Sequence, residues 1–302
     1  MSLLYIMEDI YNTLCTTDKG LENITLNEIN NILNRYIEYK KVEKNNKVFI
    51  FFNSNFYERL KLLYLSRTID NIYYKENNKY EKFLISNLYN RGYEIKKLGK
   101  IKTTVVSKIL YYSNIKENEE IINLMDDGSF SIEEGLILKN IPTIFWRKRE
   151  IIEYSDFIEK FENIKEKVKG KIYCINKDNN ILNDIEKNSE KALVKDIIYF
   201  RRIDIEWLDL KFKEKSIDKI FTFRIKKDQK INIKDKYIFY HSDKILKNNG
   251  KLFLLLYNKE EKYEKIINNI KNYIIKYNLE ISDKVNIYNN NKNLLLLSIQ
   301  KI

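Results

Sequence analysis

The sequence predicts an α/β chain in two parts: a small α+β module over residues 1–80 and a larger domain over 81–302 built on a largely parallel sheet. Three observations carry this. The first eighty residues run strand–helix–strand–strand–helix–strand, the order of a ferredoxin-like module. Beyond residue 117, short apolar runs alternate with helical patterns, which implies parallel strands covered by helices. The 302 residues, 44% hydrophobic and 32% charged, suffice for two domains with sizeable cores.

Each element of the module follows from local pattern. IYNTLC (10–15) alternates as a strand does. Leu21, Ile24, Leu26, Ile29, Ile32, Leu33 and Ile37 recur at helical spacing, and Thr17 or Asp18 is placed to cap that helix. Residues 37–43 and 47–52 form two strands around a turn at Asn45-Asn46. Phe56 to Leu65 is a second helix with Leu60, Leu63 and Tyr64 inward, and Ile69 to Tyr74 is the last strand. Residues 75–80 are a polar connection.

In the larger part, strands are expected at 117–125, 172–176, 197–203, 218–223 and 251–257, where KLFLLLY is apolar throughout. Helices are expected near 131–139, 155–168, 179–191, 235–247 and 260–276. In the last of these Ile266, Ile267, Ile270, Tyr273 and Ile274 share a face. ISDKVNIY (281–288) and NLLLLSI (293–299) close the sheet as an antiparallel edge joined by a short turn, with 251–257 and 293–299 antiparallel neighbours.

Composition excludes several function classes. Seven glycines and one proline stand where average usage gives about 20 and 15, so collagen-like and linker architectures are out. Cys15 and Cys174 are too few for a disulfide framework or a structural zinc site, and His241 is the single histidine. The N-terminal MSLLYIMEDIY places acids within its apolar stretch, a poor signal peptide. No run approaches the roughly 18 apolar residues of a membrane span. Location in a reducing cytoplasm, with no membrane partner, is the resulting expectation. The net charge of +12 favours a polyanionic partner or reflects a lysine-biased composition.

Specific stretches carry a resemblance. TTDKGLENITLNEINNIL (16–33), KVFIFFNSNFYERLKLLYLSRTIDNIYY (47–74) with Arg67-Thr68, and LYNRGYEIKK (88–97) match in order and spacing. Together they resemble the THUMP-associated RNA guanine-N2 methyltransferases, which modify tRNA or rRNA. The resemblance implies a Rossmann-like class I methyltransferase domain with S-adenosylmethionine as cofactor and RNA, not DNA, as partner. Fewer than twenty residues separate Tyr74 from Arg91, so most of the THUMP element is expected to be missing.

The cofactor motifs depart from that pattern. Where the family has an Asp-Pro followed by Cys-Gly-Ser-Gly, this chain has Asn123, Leu124 and then Asp126-Asp127-Gly128-Ser129, with Glu134 at the later acidic position. Asn176 stands where the resemblance implies a ribose-binding acid, and Asp178 at a second acidic position. Asn188 and Ala192 match as packing positions. Asp204 either contacts adenine or caps the short helix at Trp207. Phe223, Arg224, Ile225 and Lys226 replace the Asn-Pro-Pro-Tyr catalytic loop, removing the acceptor that orients a target amine. Asn123, Asp126, Gly128, Asn176, Asp178 and Asp204 are the cofactor candidates.

Residues 201–251 hold 15 basic against 8 acidic residues. Arg201, Arg202, Arg224, Lys226, Lys227 and Lys230, beside Phe223, Tyr237 and Tyr240, are the RNA-binding candidates; basic groups interleaved with aromatics suit unpaired RNA. The alternative is a solvated lysine-rich surface. Function is therefore expected to be methyl transfer to RNA with degenerate motifs. The alternatives are an inactive RNA-binding pseudoenzyme or a structural partner of an active methyltransferase.

Overall fold

The computed structural model describes residues 11–94, 101–124, 127–224, 233–257, 263–290 and 292–302. They pack as two units. The first comprises Met1–Tyr93, Ile101–Tyr112 and Asn140–Lys165; the second comprises Glu94–Lys100, Ser113–Lys139 and Glu166–Ile302.

In the first unit β1 (Thr13–Asp18), β2 (Tyr39–Lys44), β3 (Lys47–Phe52), β4 (Asn71–Glu76) and β5 (Lys79–Lys82) form one sheet in the order β2-β3-β1-β4-β5. Every neighbouring pair is antiparallel. The hairpin turns use Asn45-Asn46 and Asn77-Asn78, all four at positive φ, as two-residue turns that match strand twist require. The second turn and β5, KYEK, stand where the pattern predicts a polar connection; an edge strand this short and charged carries no apolar alternation. α1 (Glu22–Leu33) and α2 (Phe56–Leu65) bury Leu26, Ile29, Leu60 and Leu63 in a core with Val48, Ile50, Phe52 and Ile72. Asn55 and Glu58 cap α2 reciprocally, at 2.9 and 3.0 Å.

Neither Thr17 nor Asp18 caps α1. Its first turn follows Leu21 in the left-handed region without a side-chain cap. Thr17 Oγ1 instead donates to the Thr68 carbonyl at 2.9 Å. Asp18 is fully buried, 2.7 Å from Lys47 Nζ and 2.9 Å from Lys102 Nζ. Lys102 also reaches Asp70 at 3.0 Å, and Thr104 Oγ1 donates to Asp70 at 2.7 Å. Lys108 Nζ donates to the Asp18 carbonyl at 2.9 Å. Thr104 and Lys108 lie on α3 (Thr103–Tyr112), a helix the sequence pattern does not predict. It is bound to the first unit by this charged cluster as much as by its apolar residues Val105, Val106 and Ile109. Burial alone would raise the Asp70 carboxyl, but Lys102, Lys47 and Lys108 outweigh it and hold it below its ordinary value. Burial pulls the Lys108 ammonium down to about 8 against the attraction of Asp70 and Asp18.

The helix expected over 155–168 is not formed. A 3-10 stretch Phe145–Tyr154, one α-turn Ser155–Ile158 and a second 3-10 stretch Glu159–Phe161 take its place. Ile158 and the Tyr57–Phe157 and Phe157–Phe161 ring contacts satisfy the apolar positions within one turn. Glu162 turns to Tyr64 and Lys148 instead of extending the helix.

The second unit is a seven-stranded sheet in the order β11-β12-β10-β9-β6-β7-β8. Its strands are β6 (Glu120–Leu124), β7 (Lys171–Asn176), β8 (Ile198–Arg202), β9 (Ile217–Arg224), β10 (Leu246–Tyr257), β11 (Leu279–Asn289) and β12 (Lys292–Lys301). The five strands from β10 to β8 are parallel, and β12 runs antiparallel to both β10 and β11. The expected antiparallel pairing is present, with Leu254 opposite Leu297. α4 (Ser129–Leu138), α5 (Asn179–Lys191), α6 (Ile233–Ile245) and α7 (Tyr263–Lys276) accompany the strands. Leu252, Leu254 and Leu256 pack with Ile238, Ile266, Ile267, Ile270 and Ile274 in one core.

The Asp70 carboxylate is the shared acceptor of the first unit's charged cluster. Asp70→Ala is expected to lower stability by about 3–5 kcal/mol, because Lys47, Lys102 and Lys108 are then left with Asp18 as the one carboxylate of the cluster. Urea unfolding of the purified variant measures this, and a loss below about 1 kcal/mol would contradict it.

Candidate functional site

In open parallel sheets the strands' C-terminal ends form the ligand-binding crevice, here the ends of β6, β7, β8 and β9. β6 delivers Asn123, which is fully buried. Its Nδ2 donates to Ser131 Oγ at 3.1 Å and to Glu134 Oε2 at 2.8 Å, and its Oδ1 has no hydrogen-bond partner among the described residues. Asp126 lies outside the described residues. Gly128, at φ 97, occupies the left-handed position that starts α4, where a Cβ would be strained. Asp127 Oδ1 accepts from the Ser129 backbone N–H at 3.3 Å and from its hydroxyl. A carboxylate of the chain thus already sits on the N-terminus of α4, where positive helix-end charge and unpaired N–H groups attract anions.

At the end of β7, Asn176 Oδ1 accepts from the Asp178 backbone N–H at 3.0 Å. Asp178 in turn accepts from Asn180 N–H at 2.9 Å and caps α5. Asn188 and Ala192 are buried. After β8, half-buried Asp204 precedes the 3-10 turn Ile205–Trp207 without a side-chain cap bond. Of the two roles open to it from sequence, capping that turn is therefore not made.

Arg201 and Arg202 are exposed at the end of β8, with Arg202 Nε donating to the Lys177 carbonyl at 3.3 Å. Arg224 is the last residue of β9, and Ile225, Lys226, Lys227 and Lys230 lie outside the described residues. The aromatics expected beside these cations are engaged elsewhere. Phe223 packs edge-on against Phe130 of α4, centroids 4.4 Å apart. Tyr237 lies parallel to the ring of His241 at 5.9 Å, and Tyr240 packs on Tyr277 at the same separation. Close in sequence to Arg201 and Arg202 the exposed rings are instead Tyr199 and Trp207, 39% and 57% exposed, with Leu210 at 70%. Sequence reasoning places Trp207 only as a helix position. Its signal is a large aromatic followed by Leu210 in an otherwise charged stretch directly after a strand. No described His, Cys, Asp or Glu group is arranged to hold a metal.

The site's fit to S-adenosylmethionine is partial. The glycine turn and the helix N-terminus are kept. Asp127 occupies that N-terminus, and Asn176, whose oxygen accepts from the Asp178 N–H, stands where the resemblance implies a ribose-binding acid. Asn123 is matched to Glu134, since its amide donates to that carboxylate where an ionised Asp could not. Asn123→Asp would set two buried carboxylates against each other and raise the pKa of one. The variant is expected to be less stable by about 2–3 kcal/mol at pH 7. Because the raised group binds a proton in the folded state, this loss should shrink as pH falls from 7 to 5. Thermal unfolding across that range is the check, and a pH-independent loss would contradict it.

The fold agrees with comparisons to known proteins. No curated protein sequence matches the chain. Among solved structures it is similar to a possible methylase from Clostridium difficile 630, at 12% identity and TM-score 0.69, over 96% of this chain and 98% of that one. It is also similar to SMU.472, named a candidate methyltransferase and solved in complex with SAH, at 13% identity and TM-score 0.70, over 97% and 98%. TrmN from Thermus thermophilus matches at 9% identity and TM-score 0.50, over 88% of this chain and 60% of that one. At these identities the similarity establishes the fold. S-adenosylmethionine, the cofactor expected from the sequence, stands with the family whose pattern spans residues 91–266. By that match the chain belongs to the UPF0020 family of RMKL-like methyltransferase domains.

Proposed function

We propose that the chain is an RNA-directed member of this family that holds S-adenosylmethionine weakly and has lost conventional methyl transfer to an exocyclic amine. The observation that carries this is the Asp127 carboxylate on the N-terminus of α4, the position a cofactor carboxylate would take. S-adenosylmethionine supplies an electrophilic methyl group when bound. Phe223 and Arg224 stand in place of an Asn-Pro start, and neither residue type has a side-chain acceptor for an amine. On this reading residues 1–80 are a ferredoxin-like module, supported by the β2-β3-β1-β4 order and two helices, and 81–302 the methyltransferase-like domain. The RNA assignment rests on the resemblance and on Arg201 and Arg202 beside Tyr199 and Trp207. DNA is the competing polyanion, since a structure named a predicted N6-adenine-specific DNA methylase from Listeria monocytogenes shares the fold at TM-score 0.64.

A second reading, a structural partner of an active methyltransferase, is favoured by one observation. Trp207 and Leu210 are apolar groups exposed close together in sequence at a strand end. A partner would cover them; RNA would stack on Trp207 alone.

Isothermal titration with S-adenosylmethionine is expected to give dissociation in the high micromolar range or weaker. Loss of one bidentate charged pair costs roughly 2–3 kcal/mol, or about 30- to 150-fold. Low-micromolar affinity would overturn this. Single-stranded RNA is expected to bind with strong salt dependence and in preference to duplex DNA. Replacing Arg201, Arg202, Lys226 and Lys227 by Ala should flatten the log–log salt slope by about 0.7 for each phosphate that is no longer neutralised. An unchanged slope in the folded variant would leave the lysine excess as compositional bias.

A further inference from the structure

His241 is the single histidine of the chain, and the fold buries it. It lies on α6 and faces the turn Ile205–Trp207 and the residues just after it. Neither ring nitrogen completes a hydrogen bond among the described residues. Asp209 Oδ1 is 3.5 Å from Nδ1, and the Ile205 backbone carbonyl faces the ring from the same turn. From α6 itself, Tyr237 lies parallel to the imidazole at 5.9 Å and Tyr240 stands edge-on at 5.0 Å. Tyr277, just past α7, packs against Tyr240. Asp204 and Glu206 flank or form the turn, but Asp209 is the charged group that acts on the ring.

A buried imidazole with no completed hydrogen bond is uncommon, because buried polar groups are ordinarily paired. An apolar ring would fill the space between α6 and the turn at lower cost. Imidazole differs from such a filler in that it changes charge between about pH 5 and 8. Burial holds the His241 imidazole below its ordinary value, and Asp209 and the Ile205 carbonyl offset this only in part. The unfolded chain therefore holds the proton more tightly. Stability that is present above about pH 6.5 is lost as pH falls below it.

The loss falls on the turn. Ile238, Phe239 and Ile245 fix α6 in the core of the sheet. The turn has three residues and is anchored by Ile205 and Leu208, while Trp207 and Leu210 are exposed. Water reaches an imidazolium at least cost by displacing the shorter, outer element. Asp209, already part-exposed, moves with that element. We propose that His241 is a proton-sensitive latch, which holds the Trp207–Leu210 segment against α6 while neutral and releases it when protonated. The latch is independent of the crevice chemistry, and stands whether RNA, a protein partner or neither covers Trp207.

Nuclear magnetic resonance of the full chain carrying fluorotryptophan tests this. The chain has two tryptophans, and Trp207→Phe assigns the fluorine signal of Trp207. The proton signal of the single imidazole is followed in the same samples from about pH 8 to about pH 4.5. The imidazole is expected to titrate with a midpoint below 6.5. The Trp207 signal should shift with that midpoint while the Trp146 signal stays in place. In His241→Leu the Trp207 signal should stay constant across the range. Asp209→Asn changes a part-exposed side chain and should lower both midpoints together, by about one pH unit. That arm decides the matter if His241→Leu does not fold. A Trp207 signal that stays still while the imidazole titrates overturns the proposal, as does one that the Trp146 signal follows, the mark of global acid unfolding. So does an imidazole that titrates at 6.5 or above or stays neutral throughout, and so do midpoints that separate in Asp209→Asn.

Discussion

The first unit depends on a set of buried charges that hold one another in place. Asp18 and Asp70 each need two lysines, and those lysines come from distant positions, Lys47 on β3 and Lys102 just before α3. Removing any one member unbalances the charge left buried among the others, which is why such networks tie elements together more firmly than their net energy suggests. The consequence is architectural. Arg91 and α3 fall within the span that matches the methyltransferase family, yet Ile101–Tyr112 packs with the N-terminal sheet. Arg91 donates to the Leu88 and Arg67 carbonyls, at 2.7 and 3.1 Å, so the Arg-Gly-Tyr stretch is anchored in the same unit.

This explains why the scattered sequence matches occur together. Glu28, Arg67, Thr68 and Arg91 belong to three separated stretches, and in the structure they form one hydrogen-bonded group. Arg67, just past the C-terminal end of α2, is 4% exposed. These residue types constrain one another, and that constraint is visible in sequence only as joint order and spacing.

Legibility follows burial on one regular face. KLFLLLY, the 179–191 helix and the Asn45-Asn46 hairpin are readable because period and turn chemistry agree there. α3 escapes such a reading because its buried face includes Thr104, Ser107 and Lys108, polar residues that a hydrophobic period discounts. The 155–168 segment fails in the opposite sense. Its apolar spacing fits a helix, but Glu162 finds Tyr64 and Lys148, which end it. The aromatics of α6 are misplaced for a related reason. Composition puts Tyr237 and Tyr240 near basic residues, whereas helical phase turns both onto the core.

The site residues are legible as departures from a pattern, but their meaning lies in how the departures fit one another. Asn123 gives up a charge and gains a donor for Glu134. The glycine of the turn stands at 128, where φ is 97. Asp127 beside it supplies the anion that the α4 N-terminus attracts, and Asn176 closes on its own following backbone. Asp127, Asn176 and the Nδ2 of Asn123 each bond within the chain where a ligand group would otherwise be met. An active site ordinarily keeps unsatisfied polar groups that lower stability, and loss of ligand binding removes the need to keep them. On the proposed reading the crevice between β6 and β9 has moved toward self-sufficiency. Among the described residues, the exposed Arg201, Arg202 and Trp207 at its edge belong to no comparable internal network that would explain their place on the surface. On that same reading, RNA is recognised at the rim and not in the crevice itself.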